Sequence, residues 1–214
     1  MTLDAVTTVL AIRHGETAWN AETRIQGHID IPLNERGLAQ ARLLAEALAG
    51  EQIDAVYSSD LQRAQQTAAA LASSRELVLH LDARLRERHF GVFEGLTWAE
   101  IETQHAEDSA RWRRREPDFA APGGESLQDF YARAVAAVER IALAHPGQTV
   151  AVIAHGGVMD CLYRAASRQP LQATRTWKLG NAAVNRLLWS SEGPSLIGWN
   201  DDLHLDGLDN EAEG

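Results

Sequence analysis

The chain has 214 residues, 45% of them hydrophobic and 23% charged, the balance of one well-buried domain of a soluble protein. Twenty basic residues against thirty acidic ones leave a net charge of −10, which argues against a general binder of nucleic acid or anionic membrane, since both need a basic surface. The N-terminus lacks signal-peptide order, no apolar run approaches the roughly 18 residues of a membrane-spanning helix, and the single cysteine, Cys161, can form no internal disulfide, so a cytoplasmic protein is expected.

The apolar, β-branched run Val6–Ile12 predicts a buried strand, and Arg13-His14-Gly15-Glu16-Thr17 follows directly at its end. Turn residues fill the stretch from Glu16 to Asn34. A helix is predicted from Glu35 to Ala49, with Leu38, Ala41, Leu44, Ala45 and Leu48 on one stripe. Ile53–Tyr57 reads as the second strand, and Ser58-Ser59-Asp60 supplies N-cap candidates for a helix from about Leu61 that carries Arg63. Leu77–His80 makes a third short strand, followed by helical patches at Thr97–His105 and Ala106–Arg115. A long amphipathic helix spans Ser126–Ala144, and Pro146-Gly147 stops it. Thr149–Ala154 is a second strongly apolar strand, ending in His155-Gly156-Gly157, and a helix over Val158–Ala166 buries Cys161 as a packing residue. Strands near Val184–Trp189 and Leu196–Trp199 close a single domain over residues 1–202, and residues 203–214 form an acidic tail, expected to be mobile. The alternation predicts a three-layer α/β/α sandwich around a mainly parallel sheet.

Two apolar strands therefore end in His-Gly, and a third opens a helix bearing Arg63. Ligands bind at the C-terminal edge of such sheets. If these strands are neighbours, Arg13, His14, Arg63 and His155 meet there and suit a compact, highly charged anion, above all a phosphoryl group. Glycines after each histidine allow backbone N–H groups to approach its oxygens. The eight histidines are scattered, with no His-x-x-x-His pair and no cysteine set, so no metal site is expected.

Five segments in order now carry a resemblance: Arg13-His14-Gly15-Glu16-Thr17 with Asn20; Arg24-Ile25-Gln26-Gly27 through Asp30-Ile31-Pro32-Leu33; Ser58–Ala64 with Thr67-Ala68; Glu87 through Phe90-Gly91 with Glu94-Gly95; and His155-Gly156-Gly157. The chain resembles the histidine phosphatase superfamily, the cofactor-dependent phosphoglycerate mutase-like proteins. The resemblance implies that His14 is a nucleophile that takes the phosphoryl group on an imidazole nitrogen. For that, His14 must be neutral, with its other N–H held by a partner such as the Gly15 carbonyl. It implies that Arg13, Arg63 and His155 bind the non-bridging oxygens, with hydrogen bonds added by Asn20 and Gly156. Glu87 would protonate the departing oxygen, and Gln26 and Gly27 lie in the loop that contacts substrate.

The implied activity is hydrolysis of small phosphorylated metabolites, with no cofactor. The alternative is a phosphoglycerate mutase, which would use 2,3-bisphosphoglycerate. The short stretch from Glu87 to His155, and the closing Ile197–Asp201 through His204-Leu205, resemble the phosphatase branch. A non-catalytic phosphate-ligand-binding protein of this fold is expected to lack the nucleophile, the acid or the second histidine, and all three are present. Arg111, Arg113, Arg114 and Arg115 either form a solvated helix face, with Glu107 paired to Arg111 at i,i+4, or bind a second anionic group of the substrate. Monomer and homodimer are both compatible with the sequence.

Overall fold

In the computed structural model, which describes residues 5–208, the run ahead of His14 forms β1 (Thr7–Arg13), buried along nearly its whole length. There follow α1 (Ala18–Ala21), α2 (Glu35–Ala47), β2 (Ala55–Ser58), α3 (Gln62–Ser73) and β3 (Leu79–Leu81). Next come α4 (Trp98–Gln104), α5 (Ala106–Arg113), α6 (Leu127–Leu143), β4 (Thr149–Ala154), α7 (Gly156–Ser167), β5 (Val184–Ser190) and β6 (Gly193–Asp201). Short 3-10 turns occupy Ala83–Leu85, Gly91–Phe93 and Leu203–Leu205.

The strands form one six-stranded sheet in the order β3-β2-β4-β1-β5-β6. β3, β2, β4 and β1 run parallel, whereas β5 is antiparallel to both β1 and β6, so the sheet is mixed at one side. A strand covered on both faces is apolar at every position rather than at alternate ones, which is why β1 and β4 stand out in the sequence. Val9 and Ala11 face a core shared with Phe130 and Val138 of α6 and Met159 and Cys161 of α7. Leu10 and Ile12 face the opposite core, with Leu44 of α2 and Leu71 of α3. Those two faces are the layers the sequence predicts. A third, smaller core of Phe93, Ile101, Phe119 and Ala121 holds α4 and α5 together.

Pairing of Ile12 with Ile153 and Arg13 with Ala154 places His14 and His155 side by side, one residue past the paired ends of adjacent central strands. Ser58 pairs with Ile153, which puts Ser59 beside them. The register thus converts three separate strand ends into one location.

Several local expectations shift. Leu38 is 42% exposed, because Gly37 and Gln40 of α2 are buried in its place. A Cβ at Gly37 would lie 2.0 Å from the Glu16 carbonyl oxygen, so only glycine lets α2 approach the loop after His14, and that rotation turns Leu38 outward. None of Ser58, Ser59 and Asp60 caps α3; Leu61 is the N-cap residue and makes no side-chain cap bond. The loop after His14 contains α1, started by a capping box in which Thr17 and Asn20 hold each other. Arg111 pairs with Glu116 at 2.6 Å rather than with Glu107. The tail begins as structure: Leu203–Leu205 forms a turn, while residues 209–214 of that tail lie outside the described ones.

Candidate active site

The end of β1 is pinned from two sides. The Gly15 N–H donates to Thr67 Oγ1 of α3 at 3.0 Å, and the Asn181 amide donates to the His14 carbonyl at 2.9 Å. A Cβ at Gly15 would sit 2.6 Å from the Gly37 carbonyl oxygen, so the glycine after the histidine is a packing requirement. His14 is buried, and its Nδ1 lies 2.7 Å from the Gly15 carbonyl. With Nδ1–H donating there, the Nε2 lone pair is left free. Burial, reinforced by the Arg63 and Arg13 charges, holds His14 well below the usual histidine pKa, so the ring is neutral near pH 7.

His155 lies against His14 edge-on, with ring centroids 5.2 Å apart. Arg63 Nε donates to its Nδ1 at 3.2 Å, and its Nε2 sits 2.8 Å from Ser59 Oγ. Burial first, then the Arg63 charge, also pushes His155 well below the usual range. Arg63 is 1% exposed and donates Nη1 to the Ile29 carbonyl at 3.0 Å and Nη2 to the Gly27 carbonyl at 2.8 Å. Burial lowers its pKa to about 10, so it remains a cation at neutral pH. Three of its bonds fix the fork's plane, and the remaining N–H groups are available to an anion.

Glu87 reaches the same place from the loop after β3. Its carboxylate accepts from the Arg88 N–H at 2.8 Å and from the Gly157 N–H at 2.9 Å. A Cβ at Gly157 would fall 2.1 Å from Glu87 Oε1, which accounts for the second glycine of His155-Gly156-Gly157.

Arg13, His14, Asn20, Gln26, Gly27, Arg63 and Glu87 line a single cavity of about 160 Å³, closed further by Arg24, Ile25 and Phe90. Asn20 Oδ1 is occupied by the Thr17 N–H and hydroxyl, which leaves its NH2 group for the cavity. Arg13 Nε and Gln26 Oε1 are buried without a hydrogen-bond partner. Gly27 is there as a turn residue at φ +53° whose carbonyl aims Arg63, a positioning role. Gly156 lies instead on an adjoining chamber with Arg13, and His155 packs behind His14, away from the cavity walls. Arg111, Arg113, Arg114 and Arg115 are spent on Glu116, Glu102, Glu116 and Asp160, so none of that run lines the cavity. Ser59, Thr67 and Asn181 were not expected as site residues. Ser59 had a signal, a polar residue at the end of a strand beside the two His-Gly ends; Asn181 had none.

Among the described residues, no cluster of three or more His, Cys, Asp or Glu is arranged to hold a metal ion, and no helix is long and apolar enough to cross a membrane. The donors on the cavity wall, the Arg13 and Arg63 guanidinium groups and the Asn20 amide, suit a phosphoryl group.

The family model of the histidine phosphatase superfamily (branch 1) matches residues 9–202. The chain belongs to that superfamily. It is 40% identical over 202 residues to phosphoglycerate mutase-like protein 4 of Arabidopsis thaliana, covering 92% of this chain and 86% of that one. It is 39% identical over 208 residues to the metal-independent phosphoserine phosphatase of the same plant, covering 95% and 85%. The mycobacterial glucosyl-3-phosphoglycerate phosphatase, solved with VO3, superposes with a TM-score of 0.80 at 33% identity, covering 92% of this chain and 100% of that one.

The two central histidines have a consequence for stability. Both have native pKa values depressed below 6.5, so the unfolded chain binds more protons than the native one once the pH falls below that value. Stability is therefore complete above about pH 6.5 and declines as the pH drops toward the native values. His28 and His204 are shifted the same way. The urea midpoint should fall between pH 7.5 and 5.5, before carboxylates titrate; an unchanged midpoint would contradict neutral burial of His14 and His155.

Proposed function

We propose that this phosphoric monoester hydrolase removes phosphate from small metabolites by way of a phosphohistidine on His14, with Glu87 as proton donor and no cofactor. The observation that carries the reading is the free, neutral Nε2 of His14 in the cavity walled by Arg13, Arg63 and Glu87. His14 Nε2 forms a bond to phosphorus as the bond to the ester oxygen breaks. Arg13, Arg63 and the Asn20 amide bind the non-bridging oxygens and offset the charge that develops on them. His155, held between Ser59 and Arg63, supports the same charge from behind. Glu87 gives its proton to the departing alkoxide. It then takes a proton from the water that attacks phosphohistidine, and inorganic phosphate leaves with Nε2 restored. The Gln26 amide contacts the substrate at the cavity wall.

The phosphatase-named relatives and the short stretch that carries α4 and α5 between Glu87 and His155 favour water as the final acceptor. The test is steady-state phosphate release from p-nitrophenyl phosphate in EDTA, alongside an assay for interconversion of 3- and 2-phosphoglycerate with and without 2,3-bisphosphoglycerate. Metal-free turnover with interconversion at background is expected. Interconversion faster than hydrolysis would replace the hydrolase with the mutase.

A further inference from the structure

Beside the phosphate cavity lies a second chamber of about 520 Å³, and Arg13 forms part of the wall of both. Gly156 and Gly157 contribute to it from the start of α7, and Arg175, Trp177 and Lys178 from the loop between α7 and β5. Two observations set this chamber apart from an ordinary surface hollow.

The first is charge. The chain carries a net charge of −10, and each arginine of the 111–115 run is paired with a carboxylate. Among the described residues, Arg175 and Lys178 form no ion pair. Arg175 is close enough for its charge to oppose that of Arg13. Glu87 and Glu16 offset the charge of Arg13 itself, but no carboxylate among the described residues pairs with Arg175 or Lys178, so an anion entering the chamber meets two cations with free donors.

The second is a braced backbone. The buried Arg164 side chain donates to the Pro170 carbonyl at 2.6 Å and the Ala173 carbonyl at 2.9 Å. Arg115 holds the Leu171 carbonyl at 2.7 Å. At the other end Trp199 Nε1 holds the Lys178 carbonyl at 2.9 Å, Asn200 Oδ1 accepts from the Gly180 N–H at 2.7 Å, and Arg13 Nη1 donates to the Leu179 carbonyl. Trp177 stacks on Tyr163 of α7 at 3.9 Å. A loop without regular structure is thus fixed on both sides of Arg175, which limits the ordering needed when Arg175 and Lys178 meet a ligand.

We propose that this chamber is a second anion subsite, in which Arg175 and Lys178 bind a further anionic group on the alcohol part of the substrate. The preferred substrate class is then a phosphomonoester that also carries a carboxylate or a second phosphoryl group, with the reacting phosphoryl at Arg13, His14 and Arg63. This rests on the hydrolase reading above.

The matched probes are glycerol 3-phosphate, 3-phosphoglycerate, which replaces one CH2OH by a carboxylate, and glycerol 1,3-bisphosphate. Calorimetry on the His14→Ala chain reads binding without turnover, and kcat/KM on the unsubstituted enzyme reads the same preference independently. At least one doubly anionic probe should be preferred over glycerol 3-phosphate by about tenfold, the size of one charge-assisted hydrogen bond. Which of the two is preferred identifies the anion. In Arg175→Gln and Lys178→Gln chains that ratio should shrink toward one, and in the parent it should shrink in high salt. Equal binding of all three probes, or a ratio unchanged in both variants, overturns the subsite. If p-nitrophenyl phosphate is still hydrolysed in that case, the hydrolase reading stands alone; if no ester is hydrolysed but the binding ratio holds, the subsite stands without it.

Discussion

Replacing His14 with alanine should lower kcat by about four orders of magnitude or more, whichever phosphomonoester is offered. The loss of a covalent nucleophile is the largest single deletion an active site of this type can suffer, because the remaining groups can only stabilise a direct attack by water. Affinity should change far less. Arg13 and Arg63 keep their own supports, the Leu179 carbonyl for one and the Ile29 and Gly27 carbonyls with His155 Nδ1 for the other, none of which runs through the His14 ring. The expected signature is therefore a collapsed kcat with substrate binding retained. A chemical readout separates this from simple misfolding. The unsubstituted enzyme, quenched in alkali during turnover, should carry a phosphoryl adduct that is lost in acid, as a phosphoramidate is, and the variant should carry none. Residual activity within tenfold of the parent would mean that His14 binds the phosphate without attacking it.

The centre of this site was legible because its signals are local and the sheet does the rest. β1 and β4 carry unbroken apolar runs, over residues 9–12 and 150–154, so their ends could be located in the sequence, and a histidine followed by glycine comes just after each. Adjacent parallel pairing then forces His14 and His155 together. Glu87 sits in a charged loop with no periodicity to mark it, and only the family resemblance singled it out. What escaped was what depends on contacts between distant segments. Ser59 reads as a helix cap until β2 is seen paired with β4, which brings its hydroxyl to His155 Nε2. The arginine run at 111–115 reads as a solvated helix face or as a binding cluster until its carboxylate partners are in place, and Glu107, one turn away, is not among them. Leu38 fits the helical stripe, yet the close approach of Gly37 to Glu16 turns it outward. Arg175 and Lys178 carry no motif. They gain meaning only from the loop that Arg164, Arg115 and Trp199 hold beside Arg13.

Glu87→Gln should give a loss that depends on the leaving group, and that dependence is the informative part. Glutamine keeps the size of the side chain, and its amide oxygen can still accept from the Gly157 or Arg88 N–H groups that hold Glu87 in place. It cannot deliver a proton. For an alkyl ester such as glycerol 3-phosphate, the departing alkoxide is strongly basic and needs that proton in the transition state. General acid catalysis of this kind contributes about 10²–10⁴ to the rate, so kcat should fall by that much. For p-nitrophenyl phosphate the phenolate departs without protonation, and the first step should be nearly untouched. The second step still needs a base for the attacking water, so phosphohistidine should accumulate and p-nitrophenol should appear as a burst followed by a slow steady rate. The parent enzyme should show no burst of that size. Equal loss on both esters with no burst would show that Glu87 acts through structure, as the anchor on Gly157, and that the proton comes from elsewhere. A leaving-group-dependent loss together with the burst places the proton on the Glu87 carboxyl in one half of the cycle and removes it from water in the other.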